Sequence, residues 1–206
     1  VSDAEDAAET LAISWTSDLD GMLGSAAADT DGAVWLSTDS LTVGVHTVAL
    51  TATDTDGEAC EAAISLSING QPTVPVVVIE PGPAFTEDDL SAVIVTASID
   101  PDGDPITYTY AWTVDGAPVA TTDATILASE TIKGELWEVT VTPADALSAG
   151  ESATTDREIS NTPPQVLSAV LSPDPAATND TVSVAITVAD ADGDPVAAMY
   201  AWTVNG

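Results

Sequence analysis

Positive charge is almost absent from this 206-residue chain. One lysine, Lys133, and one arginine, Arg157, face 34 acidic residues, for a formal net charge of −32. Nucleic acid and anionic membranes are bound through basic surface, so neither is a partner for this segment. Such an imbalance makes the chain soluble and self-repelling, and salt or divalent cations relieve the repulsion. Cysteine is nearly missing too. Cys60 stands alone, which excludes an intrachain disulfide. Its parity with Ala62, Ile64, Leu66 and Ile68 predicts a small buried side chain, not a reactive thiol. With a single histidine, His46, and no cysteine pair, the ligand set of a transition-metal site is lacking. His46 shares parity with Val48 and Leu50, which puts it at the edge of a core. No apolar run is long enough to span a bilayer. No acid–base pair or activated nucleophile stands out either: the carboxylates all occur in turn contexts, so no glycosidase pair and no enzyme is indicated.

What the chain has is repetition. Asp100-Pro101-Asp102-Gly103-Asp104-Pro105 leads into Ile106 to Gly116. The stretch returns from Asp190 to Gly206, with 11 of 17 aligned positions identical. A fainter copy opens the chain at Asp3-Ala4-Glu5, with Leu11, Ile13 and Trp15 at the offsets of Tyr108, Tyr110 and Trp112. A period near ninety residues is the mark of a tandem array. The expected division is a partial module over 1–70 lacking its leading strands, a complete module over 71–160, and a partial module over 161–206 lacking its trailing strands. The chain reads as an excerpt of a longer polypeptide.

Hydrophobic content of 45% and short alternating runs, cut by Gly, Pro, Asp and Asn, give an all-β pattern. In the complete module, strands are expected at Thr73–Ile79, Leu90–Ile99, Ile106–Val114, Ala124–Ala128, Leu136–Thr142 and Glu151–Ile159. Pro75 suggests an edge position for the first. Val182, Val184, Ile186 and Val188 share one face in the last copy, so Ala92, Ile94, Thr96 and Ser98 should face inward. Tyr108, Tyr110, Trp112 and Val114 line one face of the clearest strand, and Asp115-Gly116 should turn it back through a type I′ turn. Trp137, Val139 and Val141 alternate inward. Asn161-Thr162-Pro163-Pro164 reads as a short stiff linker. About seven strands per ninety residues, with a tryptophan on a central one, predict tandem immunoglobulin-like β-sandwich modules.

The Trp112 strand with its Asp-Pro-Asp-Gly-Asp-Pro loop resembles the immunoglobulin-like, PKD-like and cadherin-like repeats of large bacterial surface proteins. The run Ile13–Gly24 and the run Leu41–Gly57 look like a close relative of the same kind. The resemblance implies an extracellular or cell-surface setting and says little about function, since such modules serve many proteins. In some relatives paired cysteines link the sheets; the matching positions here are Ile94 and Val139, so that staple is absent.

Calcium takes six to eight oxygens, and alternating aspartates in a turning loop supply several. The candidate metal ligands are therefore Asp100, Asp102 and Asp104, and again Asp190, Asp192 and Asp194. Solvated Asx turns explain the same spacing without a metal. Asp18-Leu19-Asp20-Gly21, Asp29-Thr30-Asp31-Gly32 and Asp54-Thr55-Asp56-Gly57-Glu58 read as plain turns. Asp156-Arg157-Glu158 is similar to a cadherin calcium motif, though Arg157 fits an ion pair better. Parity places Trp15, Trp112 and Trp202 in cores and leaves Trp35 outward, as a contact for a ligand or another module. Asn179-Asp180-Thr181 fits an N-glycosylation acceptor. The leading functional expectation is a non-catalytic repeat of a long extracellular fibre, sheath or adhesin stalk, stiffened by Ca²⁺. Its partners would be neighbouring modules of the same polypeptide, with self-association into fibres through edge strands as a further route. The alternative is a glycan- or protein-binding adhesion module, or the accessory domain of a secreted enzyme.

Overall fold

Fourteen strands form among the described residues, most of them where alternating runs were read, and they fall into two compact units, each all-β. The structure is a computed structural model and describes residues 1–204. The first unit comprises Val1–Thr73 with Ile99–Thr107 and Ala144–Gly150; the second comprises Val74–Ser98, Tyr108–Pro143 and Glu151–Gly206.

The first unit is built on one antiparallel sheet. Its strands are β1 (Ala12–Ser17), β2 (Gly21–Ala26), β3 (Gly44–Thr53) and β4 (Ala59–Ile68), in the order β2-β1-β3-β4. Leu11, Ile13 and Trp15 alternate into a core with Ala28 and Ala52, and Val34 and Leu36 pack against it. Trp35, between those two, is 73% exposed, as its parity requires. His46 lies deeper than its expected core-edge place: it is fully buried, with Nε2 donating to the Thr42 carbonyl and Nδ1 paired with the Ser17 hydroxyl, each at 2.7 Å. Cys60 overturns its expectation, because it is exposed. It sits on β4, the edge strand, whose residues are exposed from Ala59 to Ser67. Parity told which face Cys60 shares with Ile64 and Leu66, but among the described residues no second sheet covers that face.

The second unit contains the immunoglobulin-like β-sandwich. One sheet has β5 (Val76–Glu80), β7 (Leu90–Thr96) and β10 (Thr125–Ile126), in the order β10-β7-β5. The other has β6 (Ala84–Phe85), β8 (Thr107–Val114), β9 (Ala117–Pro118), β11 (Leu136–Ala144) and β12 (Ala153–Ser160), in the order β6-β12-β11-β8-β9. Ile79, Leu90, Ala92 and Ile126 from the first face Trp112, Trp137, Val139, Val141 and Ile159 from the second in one core. Each buried Val, Leu or Ile side chain here contributes about 1.5–3 kcal/mol by leaving water. Trp112 and Trp137 meet edge to face, with centroids 6.3 Å apart. The Trp112 indole N–H donates to the Asp123 carbonyl at 2.9 Å. Strand β5 is an edge strand, as Pro75 suggested, and Asp115 and Gly116 both take positive φ (49° and 79°), as the I′ turn demands. Ala92 and Ser98 are buried and Ile94 half-buried, but Thr96 is exposed, since it lies at the end of β7, past the core residues.

Two strands, β13 (Gln165–Ser172) and β14 (Ser183–Ala189), complete the second unit as an antiparallel hairpin. Val184, Ile186 and Val188 share a half-buried face. Trp202 is 60% exposed, not packed in a core: no strand forms from Asp194 to Val204, so no sheet turns the alternating residues inward. The turn read at Asn205-Gly206 lies outside the described residues.

Candidate functional site

Both acidic loops use one backbone solution. Asp100 Oδ1 accepts the N–H groups of Asp102 and Asp104, at 2.9 and 3.1 Å, while its carbonyl accepts the Gly103 N–H. Asp190 repeats this with Asp192 and Asp194, at 3.0 Å each, and with Gly193. Gly103 and Gly193 sit at φ +80° and +75°, where a side chain is strained. These are Asx turns, formed because a short carboxylate can reach its own downstream amides. Asp29 and Asp54 make the same pair of bonds, to the second and fourth residues on. Asp18-Leu19-Asp20-Gly21 differs: the Ser17 hydroxyl accepts the Leu19 and Asp20 N–H groups, and Asp20 binds Thr42.

What separates the 100 and 190 loops from the Asp29 and Asp54 turns is the reach of their second aspartate to a linker amide. Asp102 Oδ2 accepts the backbone N–H of Gly70 at 2.6 Å. Asp192 Oδ2 accepts the backbone N–H of Thr162, also at 2.6 Å. Each recipient follows an asparagine (Asn69, Asn161) and precedes a proline by two (Pro72, Pro164).

In the first unit, Gly70 is buried, and a Cβ there would lie 2.9 Å from Pro101 Cγ and 2.9 Å from Val43 Cγ1. The Asn69 amide donates to Asp145 Oδ2 at 3.1 Å, to Ser148 Oγ at 2.9 Å and to the Gly70 carbonyl. Asp145 also accepts the Leu147 and Ser148 N–H groups. The Asn69 amide first, then these backbone donors, pull its carboxyl down to about 2. Asp100 is 7% exposed, and its Oδ2 has no hydrogen-bond partner among the described residues.

In the second unit, the Thr86 hydroxyl donates to Asp192 Oδ1, and the Lys133 ammonium lies 2.5 Å from Asp194 Oδ2 and 3.1 Å from Asn161 Oδ1. The Asp194 carboxylate raises the Lys133 pKa, and the Thr86 hydroxyl leads the lowering at Asp192.

Of the predicted metal ligands, Asp190, Asp192 and Asp194 come together, each offering an oxygen within 4.8 Å of the others. Asp100, Asp102 and Asp104 do not form such a group among the described residues. Arg157 departs from its expected ion pair: its Nη2 donates to the Ile79 carbonyl at 2.9 Å and it has no carboxylate partner among the described residues, since it packs beneath Gly82 on the β5 side. The sequence showed Asn161-Thr162-Pro163-Pro164 as a linker, but not its matching segment at Asn69-Gly70 nor the aspartate that captures each. The signal of the match was the Asn-x-x-Pro pattern at Asn69 and Asn161, which returns with the loops. A second repeat was also missed. Pro81-Gly82-Pro83-Ala84 and Pro173-Asp174-Pro175-Ala176 each run into a turn closed by an aspartate, Asp88 accepting the Phe85 N–H and Asp180 the Ala177 N–H.

No family model matches this chain, and no curated protein does. Among solved structures it is similar to the fibronectin(III)-like modules of Clostridium thermocellum CbhA, at 15% identity over 78% of this chain and 82% of that one, with a TM-score of 0.29. It is also similar to the N-terminal eight immunoglobulin domains of Down Syndrome Cell Adhesion Molecule, at 16% identity over 78% of this chain and 23% of that one, TM-score 0.36. A third likeness is to the FN1–FN3 domains of chicken CNTN1, at 15% identity over 88% and 67%, TM-score 0.30.

Proposed function

We propose that this chain is a non-catalytic segment of a tandem array of extracellular β-sandwich repeats, of the kind that builds a fibre, sheath or adhesin stalk. The observation that supports it is the return of one loop geometry at Asp100–Asp104 and Asp190–Asp194 together with the second aspartate's bond to the amide that follows a linker asparagine. A catalytic site has no need of two copies ninety residues apart; an array does, because each repeat must meet its neighbour in the same way. The modules in this reading are residues 1–70, 71–160 and 161–206. No helix is long and apolar enough to cross a membrane. The proposal extends to Ca²⁺ at the acidic loops. The Asp190–Asp192–Asp194 group offers the closer oxygens. Occupancy there requires the Lys133 ammonium to leave Asp194, since two cations would share one carboxylate.

Thermal unfolding in chelator, millimolar Ca²⁺, equal Mg²⁺ and ionic-strength-matched NaCl tests the cation. A rise with Ca²⁺ alone, lost on Asp192→Asn with Asp194→Asn, supports specific sites; equal rises in all salts reduce the effect to screening. Force extension of the chain tests the array. Discrete unfolding steps support it, and a featureless extension sinks it. The exposure of Trp35 favours one second reading, a glycan- or protein-binding adhesion module. A glycan array with wild type and Trp35→Ala separates the two: binding lost with Trp35 supports a binding module, and silence from both supports the structural reading.

A further inference from the structure

We propose that each acidic loop is a latch, in which the second aspartate (Asp102, Asp192) captures the backbone N–H of the residue after the linker asparagine (Gly70, Thr162) and holds the linker in place without a metal. The capture is not a by-product of the Asp-x-Asp-Gly turn. Asp29 and Asp54 build the same turn, yet Asp31 and Asp56, which stand where Asp102 and Asp192 stand, accept no hydrogen bond among the described residues. Among the turns that an aspartate Oδ1 closes onto the second and fourth residues on, only the two loops that recur at the linkers make the extra bond among the described residues, both at 2.6 Å; Asp20, in the differently built 18–21 turn, takes the Thr42 N–H at 3.0 Å. A carboxylate oxygen on an amide N–H is a charge-assisted bond, stronger than a neutral one.

The parts divide the work. The first aspartate spends its Oδ1 on two loop amides, which fixes the loop and aims the second carboxylate outward from the turn. The second aspartate takes the linker amide. The linker asparagine then ties the other side. Asn69 donates to Asp145 and Ser148, and Asn161 accepts from Lys133, which also holds Asp194. The first latch is thus braced by hydrogen bonds to an amide and the second by an ammonium. Raised ionic strength should loosen the second more than the first. Linker prolines lack an N–H and cannot serve as the captured residue, which fits their placement two positions on, at Pro72 and Pro164.

Backbone amide exchange, read residue by residue by NMR on the 206-residue chain in chelator, tests the latch. Asp102→Ala should raise Gly70 exchange about tenfold or more and leave Thr162 unchanged, with Asp192→Ala doing the converse. Asp31→Ala, at a turn without a latch, should move neither. Asp102→Asn keeps a carbonyl acceptor and should retain part of the protection, which also covers the case in which the alanine variant fails to fold. Gly70 and Thr162 exchange that is fast in wild type under chelator, or unmoved by their aspartate's removal, overturns the proposal. The calcium reading is judged separately, since the latch is read with no cation present.

Discussion

Replacing Gly70 by alanine asks whether the first linker is held as closely as its contacts indicate. Gly70 does not occupy the left-handed region, so its backbone conformation alone does not require glycine. In an open linker, Gly→Ala at such a position stabilises by about 0.4–1 kcal/mol, because the unfolded chain loses freedom. Here the added methyl would stand 2.9 Å from both Pro101 Cγ and Val43 Cγ1, and 3.0 Å from Pro101 Cβ. Neither neighbour is the far end of a flexible side chain. Overpacking of this sort costs about 1–3 kcal/mol. Displacing the linker to relieve it stretches the 2.6 Å bond from Gly70 N to Asp102, worth about 1.5–3 kcal/mol as a bond to a charged group. The two terms overlap, so the expected net loss is about 1–3 kcal/mol, of opposite sign to the open-linker case. Gly103→Ala is the companion variant: it has open space but a φ of +80°, so it reports backbone strain without a clash. Urea unfolding of wild type and both variants supplies the numbers. A Gly70→Ala protein as stable as wild type, or more so, refutes the close packing of linker, Pro101 and Val43.

Trp112→Phe keeps most of the core volume but leaves the Asp123 carbonyl without its indole donor; a loss of about 1–3 kcal/mol in urea unfolding is expected, with β8 otherwise intact. Asp145 has a folded pKa of about 2 against an ordinary 3.8, so its contribution to stability is complete above 3.8 and is lost as pH falls from there through 2. Asp145→Asn should flatten that part of the acid-unfolding curve, and an unchanged curve counts against the Asn69–Asp145–Ser148 network. Lys133 has the opposite sign: its raised pKa means the pairing with Asp194 is complete below 10.5 and lost as pH rises through the elevated value. Lys133→Gln should therefore lower stability at neutral pH, with a difference from wild type that shrinks as NaCl rises; a salt-independent difference would show that packing, not charge, is lost.

Much of the fold could be read directly because β-structure writes itself in steps of two. Tyr108 to Val114, and Trp137 to Val141, announce their inward faces by alternation alone, and Asp115-Gly116 announces a turn because few residues accept positive φ. The acidic loops were legible as turns for the same reason. Their role was not. A spacing of Asp-x-Asp-Gly-Asp fits a cation as well as an Asx turn, and nothing in it names the distant amide that Asp102 or Asp192 reaches. Cys60 and Trp202 show the complementary limit: parity was read for both, and both are exposed.

Local chemistry in the chain was thus enough to set the strand faces, the turns, the period near ninety residues and the nearly one-signed charge, since each depends on residues within a few positions of one another or on a simple count. Burial and partnership required the folded chain. Whether a face is core depends on a second sheet arriving over it, which happens to Trp112 and not to Trp202. Whether a carboxylate is a solvated turn or a latch depends on an amide 32 residues away for Asp102 and 30 for Asp192. Such pairings are fixed by packing between distant segments, and no local preference encodes them.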